Sequence, residues 1–129
     1  MSTTPSDKKQ IGLTAAGNAA LAQLIDSGLF ANESDAYKLG IAYALAKECD
    51  PNDAPEKGYT TKFNAAGGID VYHHVSDLVT TLRPQDATRP YATAERLAEL
   101  GLTEIARRLE AHETLAKILG EFEAQAAET

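Results

Sequence analysis

Cysteine, tryptophan and long apolar runs are scarce or missing in this 129-residue chain. The single cysteine, Cys49, excludes a disulfide within one chain and is typical of a protein in a reducing cytoplasm. No apolar run approaches the roughly 20 residues of a membrane span. The opening residues are polar and lack the apolar centre of a signal peptide. The sequence therefore predicts a cytoplasmic protein without a membrane-spanning segment.

Positive charge is also in short supply. Twelve basic residues face nineteen acidic ones, which gives a net charge of −7 and excludes a protein that binds phosphates with its whole surface. The acid is concentrated toward the C-terminal end, while Lys8 and Lys9 form the only adjacent lysine pair. The charge pattern leaves room for a local DNA-facing patch near these lysines.

Catalytic and metal-binding motifs are absent from the sequence. It contains no nucleophile elbow, no His-Glu-x-x-His helix, no cysteine pair and no phosphate loop. His73 and Asp77 have the spacing of two metal ligands, but no third ligand is recognisable near them, so we interpret them as a surface hydrogen-bonding pair. We predict a protein that is not an enzyme and that holds neither metal nor cofactor.

The clearest pattern lies between Lys8 and Lys47. Residues 8–14 alternate in polarity about Ile11 and Leu13, which predicts a half-buried strand. Thr14 can cap a first helix over residues 15–27, and Gly28 can end it in the left-handed conformation. Ser34 can cap a second helix, whose apolar positions occupy nearly its whole circumference and must be covered on more than one side.

A strand, a helix, a glycine turn and a capped helix in about forty residues resemble the ribbon-helix-helix family of DNA-binding dimers. The closest likeness is the start of the second helix, Ser34-Asp35-Ala36-Tyr37-Lys38-Leu39-Gly40-Ile41. The resemblance implies a homodimer in which the strands of two copies pair into one antiparallel ribbon. An unpaired strand would also leave backbone groups unsatisfied. The implied dimer core contains Ile11, Leu13, Leu21, Leu24, Tyr37 and Ile41.

The same resemblance assigns roles in DNA binding. Lys8, Gln10 and Gly12, on the strand face opposite Ile11 and Leu13, would enter the major groove. Ser34 and Lys38, at the start of the second helix, would contact a DNA phosphate.

The rest of the chain is predicted to be mostly helical. Gly58–Asn64 is β-branched and aromatic, which favours a short strand. Helices are predicted over 70–82, over 91–100 with Gly101 at its end, and from Thr103, which would act as an N-cap. The predicted fold class is mainly α, with an N-terminal ribbon-helix-helix motif followed by a helical region. The predicted boundaries are a disordered tail at 1–7, the motif at 8–48, a linker at 49–58, the helical region at 59–123 and a frayed tail at 124–129.

Two functions are compatible with these features. The first is a homodimeric DNA-binding protein, either a transcriptional regulator or an antitoxin-like protein. The second is a small acidic accessory subunit of a larger bacterial complex, for example in DNA modification or phage defence, which binds a partner protein through its helices. Binding to duplex DNA that weakens steeply with salt would distinguish the first from the second.

Overall fold

A computed structural model describes residues 6–128 of the chain, with side chains to residue 121. The fold is mainly helical and contains a small two-stranded sheet near its N-terminus. Its elements, in chain order, are β1 (Gln10–Leu13), α1 (Ala15–Asp26), α2 (Glu33–Ala46), β2 (Thr60–Asn64), α3 (His74–Leu82), α4 (Pro90–Glu110) and α5 (Leu115–Glu128). Among the described residues, no helix has the length and apolar character needed to cross a membrane.

Both predicted strands are present, and they pair with each other. β1 and β2 run antiparallel within one chain, with Ile11 opposite Phe63 and Leu13 opposite Thr60. The register shifts between Ile11 and Gly12. At this irregularity a Cβ on Gly12 would lie 1.6 Å from the Thr60 carbonyl oxygen, so only glycine fits. The sequence pattern found β1 but did not reveal that its partner lies in the same chain.

The predicted ends of α1 are confirmed, whereas the predicted cap of α2 is wrong. The Thr14 hydroxyl accepts a hydrogen bond from the Gly17 amide, and Gly28 has a φ of 79° just beyond the helix. The N-cap of α2 is Asn32, whose side chain accepts from the Asp35 amide at 2.9 Å. Ser34 instead donates to the Asn32 side chain at 2.8 Å. Asn32 and Ser34 both suit a cap, and sequence alone could not rank them.

One hydrophobic core contains residues from both sides of the segment predicted to be a linker. The residues assigned to a dimer core are all buried within this single chain: Ile11, Leu13, Leu21, Leu24, Tyr37 and Ile41. α4 supplies Leu97, Ala98, Leu102 and Ile105 to the same core. The predicted linker is itself packed at Pro51 and Ala54. The need to cover α2 on more than one side is thus met by a later helix of the same chain.

α4 is a single helix, although the sequence predicted two helices separated at Gly101. A Cβ on Gly101 would lie 1.8 Å from the Gly40 carbonyl oxygen, so α2 and α4 approach each other closely at this glycine pair. Thr103 lies inside α4 and donates to the Glu99 carbonyl oxygen rather than capping a helix. The prediction failed because a glycine that permits helix contact has the same local signature as a glycine that ends a helix.

The chain ends also differ from their predicted form. Residues 1–5 of the predicted disordered tail lie outside the described part, but the Asp7 carboxylate accepts from the Tyr91 and Ala92 amides at 2.9 Å each. These two amides belong to the first turn of α4, where an acidic cap is favoured. At the other end, α5 continues through 124–128, where a frayed tail was predicted, and residue 129 lies outside the description.

Candidate functional site

The edge of β1 that does not pair with β2 is covered by two buried glutamates of α4. The Gly12 amide donates to Glu95 at 2.9 Å, and the Thr14 amide donates to Glu99 at 3.0 Å. The Thr14 hydroxyl also donates to Glu99 at 2.7 Å. Because these carboxylates occupy backbone donors that a neighbouring strand would use, α4 closes this edge of the ribbon.

Tyr37 completes the closed edge. Its hydroxyl donates to the Gly12 carbonyl oxygen at 3.0 Å, so both backbone polar groups of Gly12 are bound inside the chain. Burial, with a smaller effect of the Glu95 charge, raises the pKa of the Tyr37 hydroxyl well above its ordinary value. The hydroxyl therefore stays a protonated donor throughout the physiological range.

The three residues predicted to contact DNA bases differ in how exposed they are. Lys8 is half-buried and pairs with Glu95 at 2.5 Å. Gly12 is buried against β2, so the prediction that it faces outward is wrong. Gln10 is exposed, and its side-chain amide lies 3.4 Å from the Asn64 side-chain oxygen. Of the three residues, only Gln10 offers a largely exposed side chain.

The residues predicted to contact phosphate lie at the start of α2, as expected. Ser34 is half-buried and bonded to Asn32, while Lys38 is exposed. Glu33 and Asp35 occupy the first turn of the same helix and place two carboxylates there. Glu33 is paired with Lys62 at 2.9 Å, which neutralises one of them.

Sequence reasoning missed the role of Glu95 and Glu99. A usable signal was present. The two glutamates are four residues apart and continue the line of Tyr91 and Leu102 along α4, so they share a helix face with core residues. Buried carboxylates need donors, and an unpaired strand edge supplies them.

A second candidate site is an apolar surface on α3. Tyr72 is 79% exposed, Leu82 is 55% exposed and Leu78 is 41% exposed. His74 stacks on Tyr72 with ring centroids 5.9 Å apart. His74, Leu78 and Leu82 follow one another at four-residue intervals and therefore share a helix face. We call Tyr72, His74, Leu78 and Leu82 the α3 surface.

The helix that the sequence predicted over residues 70–82 is only partly right. Val75 and Val79 are buried, but Val71, Tyr72, Leu78 and Leu82 are exposed. The helix begins at His74 rather than at Asp70 because residues 65–69 form a wide π-helical turn and His73 has a left-handed φ of 60°. This start point determines which residues of the segment face the core.

Asp70 anchors α3 to the rest of the fold. Its buried carboxylate accepts from the Val75 amide at 2.8 Å, from the Ser76 amide at 3.0 Å and from the Tyr91 hydroxyl at 2.8 Å. Burial acts to raise the pKa of Asp70, but these hydrogen bonds outweigh it and hold the pKa below its ordinary value. Asp70 thus joins the start of α3 to α4 and keeps the α3 surface in place.

No hydrogen bond joins the side chains of His73 and Asp77 in the described part of the chain; the two residues are linked only by the backbone bond from the Asp77 amide to the His73 carbonyl oxygen at 3.0 Å. Within residues 6–121, no three histidine, cysteine or acidic side chains converge as metal ligands would. Cys49 is half-buried, and burial with the charges of Glu104 and Asp53 raises the pKa of its thiol.

Comparison with known proteins adds no relative to these observations. No protein-family model matches the chain, and searches of curated proteins and of solved structures found no significant match.

Proposed function

We propose that this protein is an assembly module that pairs with a second copy of itself through the α3 surface. One observation carries the proposal. Of the five large apolar side chains that are exposed among the described residues, four lie between Val71 and Leu82, and the fifth is Leu29. Clustered exposed apolar residues typically mark a surface that another protein covers.

The spacing of the α3 surface suits a two-fold symmetric contact. His74 and Leu82 lie one turn on either side of Leu78. If two α3 helices cross in antiparallel orientation at Leu78, His74 of each copy faces Leu82 of the other. A two-fold interface requires this reciprocity, in which the same patch serves both partners.

The expected dimer is weak. One short helix face on each protomer is smaller than the roughly 800 Å² per partner that a standard-size protein interface buries. We therefore expect a dissociation constant in the micromolar range or above, about −8 kcal/mol or weaker. Such a contact can serve as one joint among several in a larger assembly.

Charge gives the proposed dimer a distinctive salt dependence. Two copies that each carry a charge of −7 repel each other at long range, and added salt screens this repulsion. Self-association through uncharged apolar residues should therefore strengthen as salt is raised. DNA binding should weaken under the same change, because it depends on the release of counterions from phosphates.

The test is sedimentation equilibrium of the full chain over a concentration and salt series. Leu82→Asp should abolish self-association, because it places a charge in the proposed contact. Leu29→Asp is the matched control, since Leu29 is 47% exposed and lies outside the α3 surface. A wild-type protein that stays monomeric at the highest attainable concentration contradicts the proposal. Equal dimerisation of wild type and Leu82→Asp contradicts it as well.

DNA binding through a ribbon dimer stays a prediction and has less support. It would require Glu95, Glu99 and Tyr37 to release the β1 edge before a second copy could pair there. Fluorescence polarisation with mixed duplex DNA tests it, with Lys8→Ala and Gln10→Ala as variants. Saturable binding that both substitutions weaken, and that falls steeply with salt, would favour the DNA-binding function over the assembly module.

A further inference from the structure

A polar cleft of about 470 Å³ lies along the first half of α4. Its other walls come from the segment around Pro51 and Asn52, from Tyr59 and from the turn before α4. The volume falls in the range of small-molecule sites, about 300–1,000 Å³. The α3 surface contributes no residue to this cleft, whereas Lys8, which the DNA-binding prediction uses, is part of its lining.

α4 and the residue just before it each supply an arginine to the cleft. Arg96 lies in α4, where it shares a helix face with Ala92 and Thr93. Arg89 is the N-cap residue of α4, and its backbone is not helical. The two small residues form a floor, and an arginine stands at each end of it.

The charged residues that line the cleft differ in whether each has a partner of opposite charge. Lys8 is neutralised by Glu95, and Asp86 is neutralised by Arg83 at 2.7 Å. Arg89 donates to the Ser6 carbonyl oxygen at 3.1 Å, and its charge has no carboxylate partner among the side chains of residues 6–121.

Arg96 has neither a hydrogen bond nor an ion pair with any described residue. Glu56, which is exposed, is the one other charge of the lining without such a partner within residues 6–121. The lining as a whole holds three basic and three acidic residues, and the Asp7 carboxylate lies close by on the Ala92 amide. The two guanidinium groups without a carboxylate partner are the feature that favours an anionic ligand.

Tyr59 forms part of the cleft wall. Its hydroxyl oxygen is shielded from solvent and has no hydrogen-bond partner in the described part of the chain. Burial, together with the charges of Glu99 and Glu95, raises the pKa of this hydroxyl to about 12. The hydroxyl therefore stays protonated near these two glutamates and is not open to a ligand in the cleft.

We propose that the cleft binds a small polar molecule that carries an oxyanion group, either a phosphate monoester or a carboxylate. The oxyanion lies over Ala92 and Thr93 and accepts from the Arg89 and Arg96 guanidinium groups. The polar side chains of Asn52, Gln85 and Thr88 bind the hydroxyl groups of the ligand body. This inference does not rest on self-association through α3.

The test is an NMR titration of the ¹⁵N-labelled full chain with three probes: ribose 5-phosphate, inorganic phosphate and citrate. We expect saturable shifts at the amides of Ala92, Thr93 and Arg96. Tighter binding of ribose 5-phosphate than of citrate identifies a phosphate ligand, and the reverse order identifies a carboxylate ligand. Weaker binding of inorganic phosphate than of ribose 5-phosphate supports contacts to the ligand body.

Arg96→Gln should weaken binding of the preferred probe about tenfold or more, since a charge-assisted hydrogen bond contributes roughly 1.5–3 kcal/mol. Arg107→Gln is the matched control, because Arg107 lies on the exposed side of the same helix and pairs with Glu104. The spectrum of each variant reports whether it is folded. The proposal is overturned if no probe gives saturable shifts, if the shifts lie outside the cleft, or if Arg96→Gln binds as tightly as wild type.

Discussion

The edge of β1 that faces α4 and the exposed face of α3 differ in how far other residues of the chain cover them. At β1, the backbone donors of the strand edge are bound by Glu95 and Glu99, and the Gly12 carbonyl is bound by Tyr37. At α3, the Leu78 side chain is 41% exposed and the Leu82 side chain is 55% exposed. The sequence predicted that β1 would pair with a second copy, whereas the face of α3 is the surface that stays exposed.

The physical reason for the difference is the cost of leaving each group uncovered. A buried backbone donor without an acceptor costs about 1–3 kcal/mol, so a fold satisfies it with whatever side chain it can bring there. An exposed leucine costs far less, since apolar atoms form more than half of an ordinary protein surface. A closed strand edge therefore reports on folding, while a cluster of open apolar residues carries more information about partners.

Of the substitutions considered, a side chain at Gly101 should reduce stability the most. Gly101 lies where α4, the helix that carries Glu95 and Glu99, packs against α2. Gly101→Val places a branched side chain where even a Cβ would meet the Gly40 backbone, so α2 and α4 must separate. We expect a loss of more than about 3 kcal/mol in the free energy of unfolding, measured by urea denaturation. Stability within about 0.5 kcal/mol of wild type would contradict the close helix contact.

Removing a carboxylate from the β1 edge should have the next largest effect. Glu99→Ala leaves the Thr14 amide and hydroxyl without their acceptor and should cost about 2–3 kcal/mol. Glu99→Gln is the matched control, since its side-chain oxygen can still accept from the Thr14 amide and should preserve more of the stability. If both substitutions cost the same, the hydrogen bond from Thr14 is not what stabilises the edge.

A substitution at Asp70 tests how strongly this residue holds the start of α3 against α4. Asp70→Asn weakens the hydrogen bonds from Val75, Ser76 and Tyr91 and should cost about 1–2 kcal/mol by urea denaturation. Hydrogen exchange should show faster opening of α3 than of α4.

The pH dependence follows from the lowered pKa of Asp70. A group with a folded pKa below its unfolded value stabilises the fold fully above the unfolded pKa, which is near 3.8. Its contribution is lost as pH falls from there through the folded pKa. The stability difference between wild type and Asp70→Asn should therefore be constant near neutral pH and should shrink below about pH 4.

The smallest effect on stability should come from a substitution in the α3 surface. Leu82→Ser should change the free energy of unfolding by less than about 0.5 kcal/mol, because the side chain is 55% exposed. The same substitution should weaken self-association in sedimentation experiments, whereas Leu29→Ser should alter neither property. A large loss of stability in Leu82→Ser would indicate that this residue belongs to the core.

Local signals in the sequence determined much of the secondary structure. The strand at Ile11 and Leu13, the Thr14 cap and the Gly28 end all appear in the structure, although Gly12 is buried rather than exposed. These features succeed because each depends on residues within one turn or a few positions of strand. The strand at Gly58–Asn64 was also found, with bounds of Thr60–Asn64.

Only the tertiary structure decided how these elements combine. The partner of β1 lies about fifty residues along the chain, Gly101 meets Gly40 across a helix pair, and two glutamates that resemble surface acids bind a strand edge. Each depends on contacts between segments that are distant in sequence, and residue type alone does not specify such contacts. The hydrophobic pattern and the capping residues could therefore locate helices and strands of this protein. Which strand edge is covered and which helix face stays exposed depended on the backbone hydrogen bonds and the packing that form only in the folded chain.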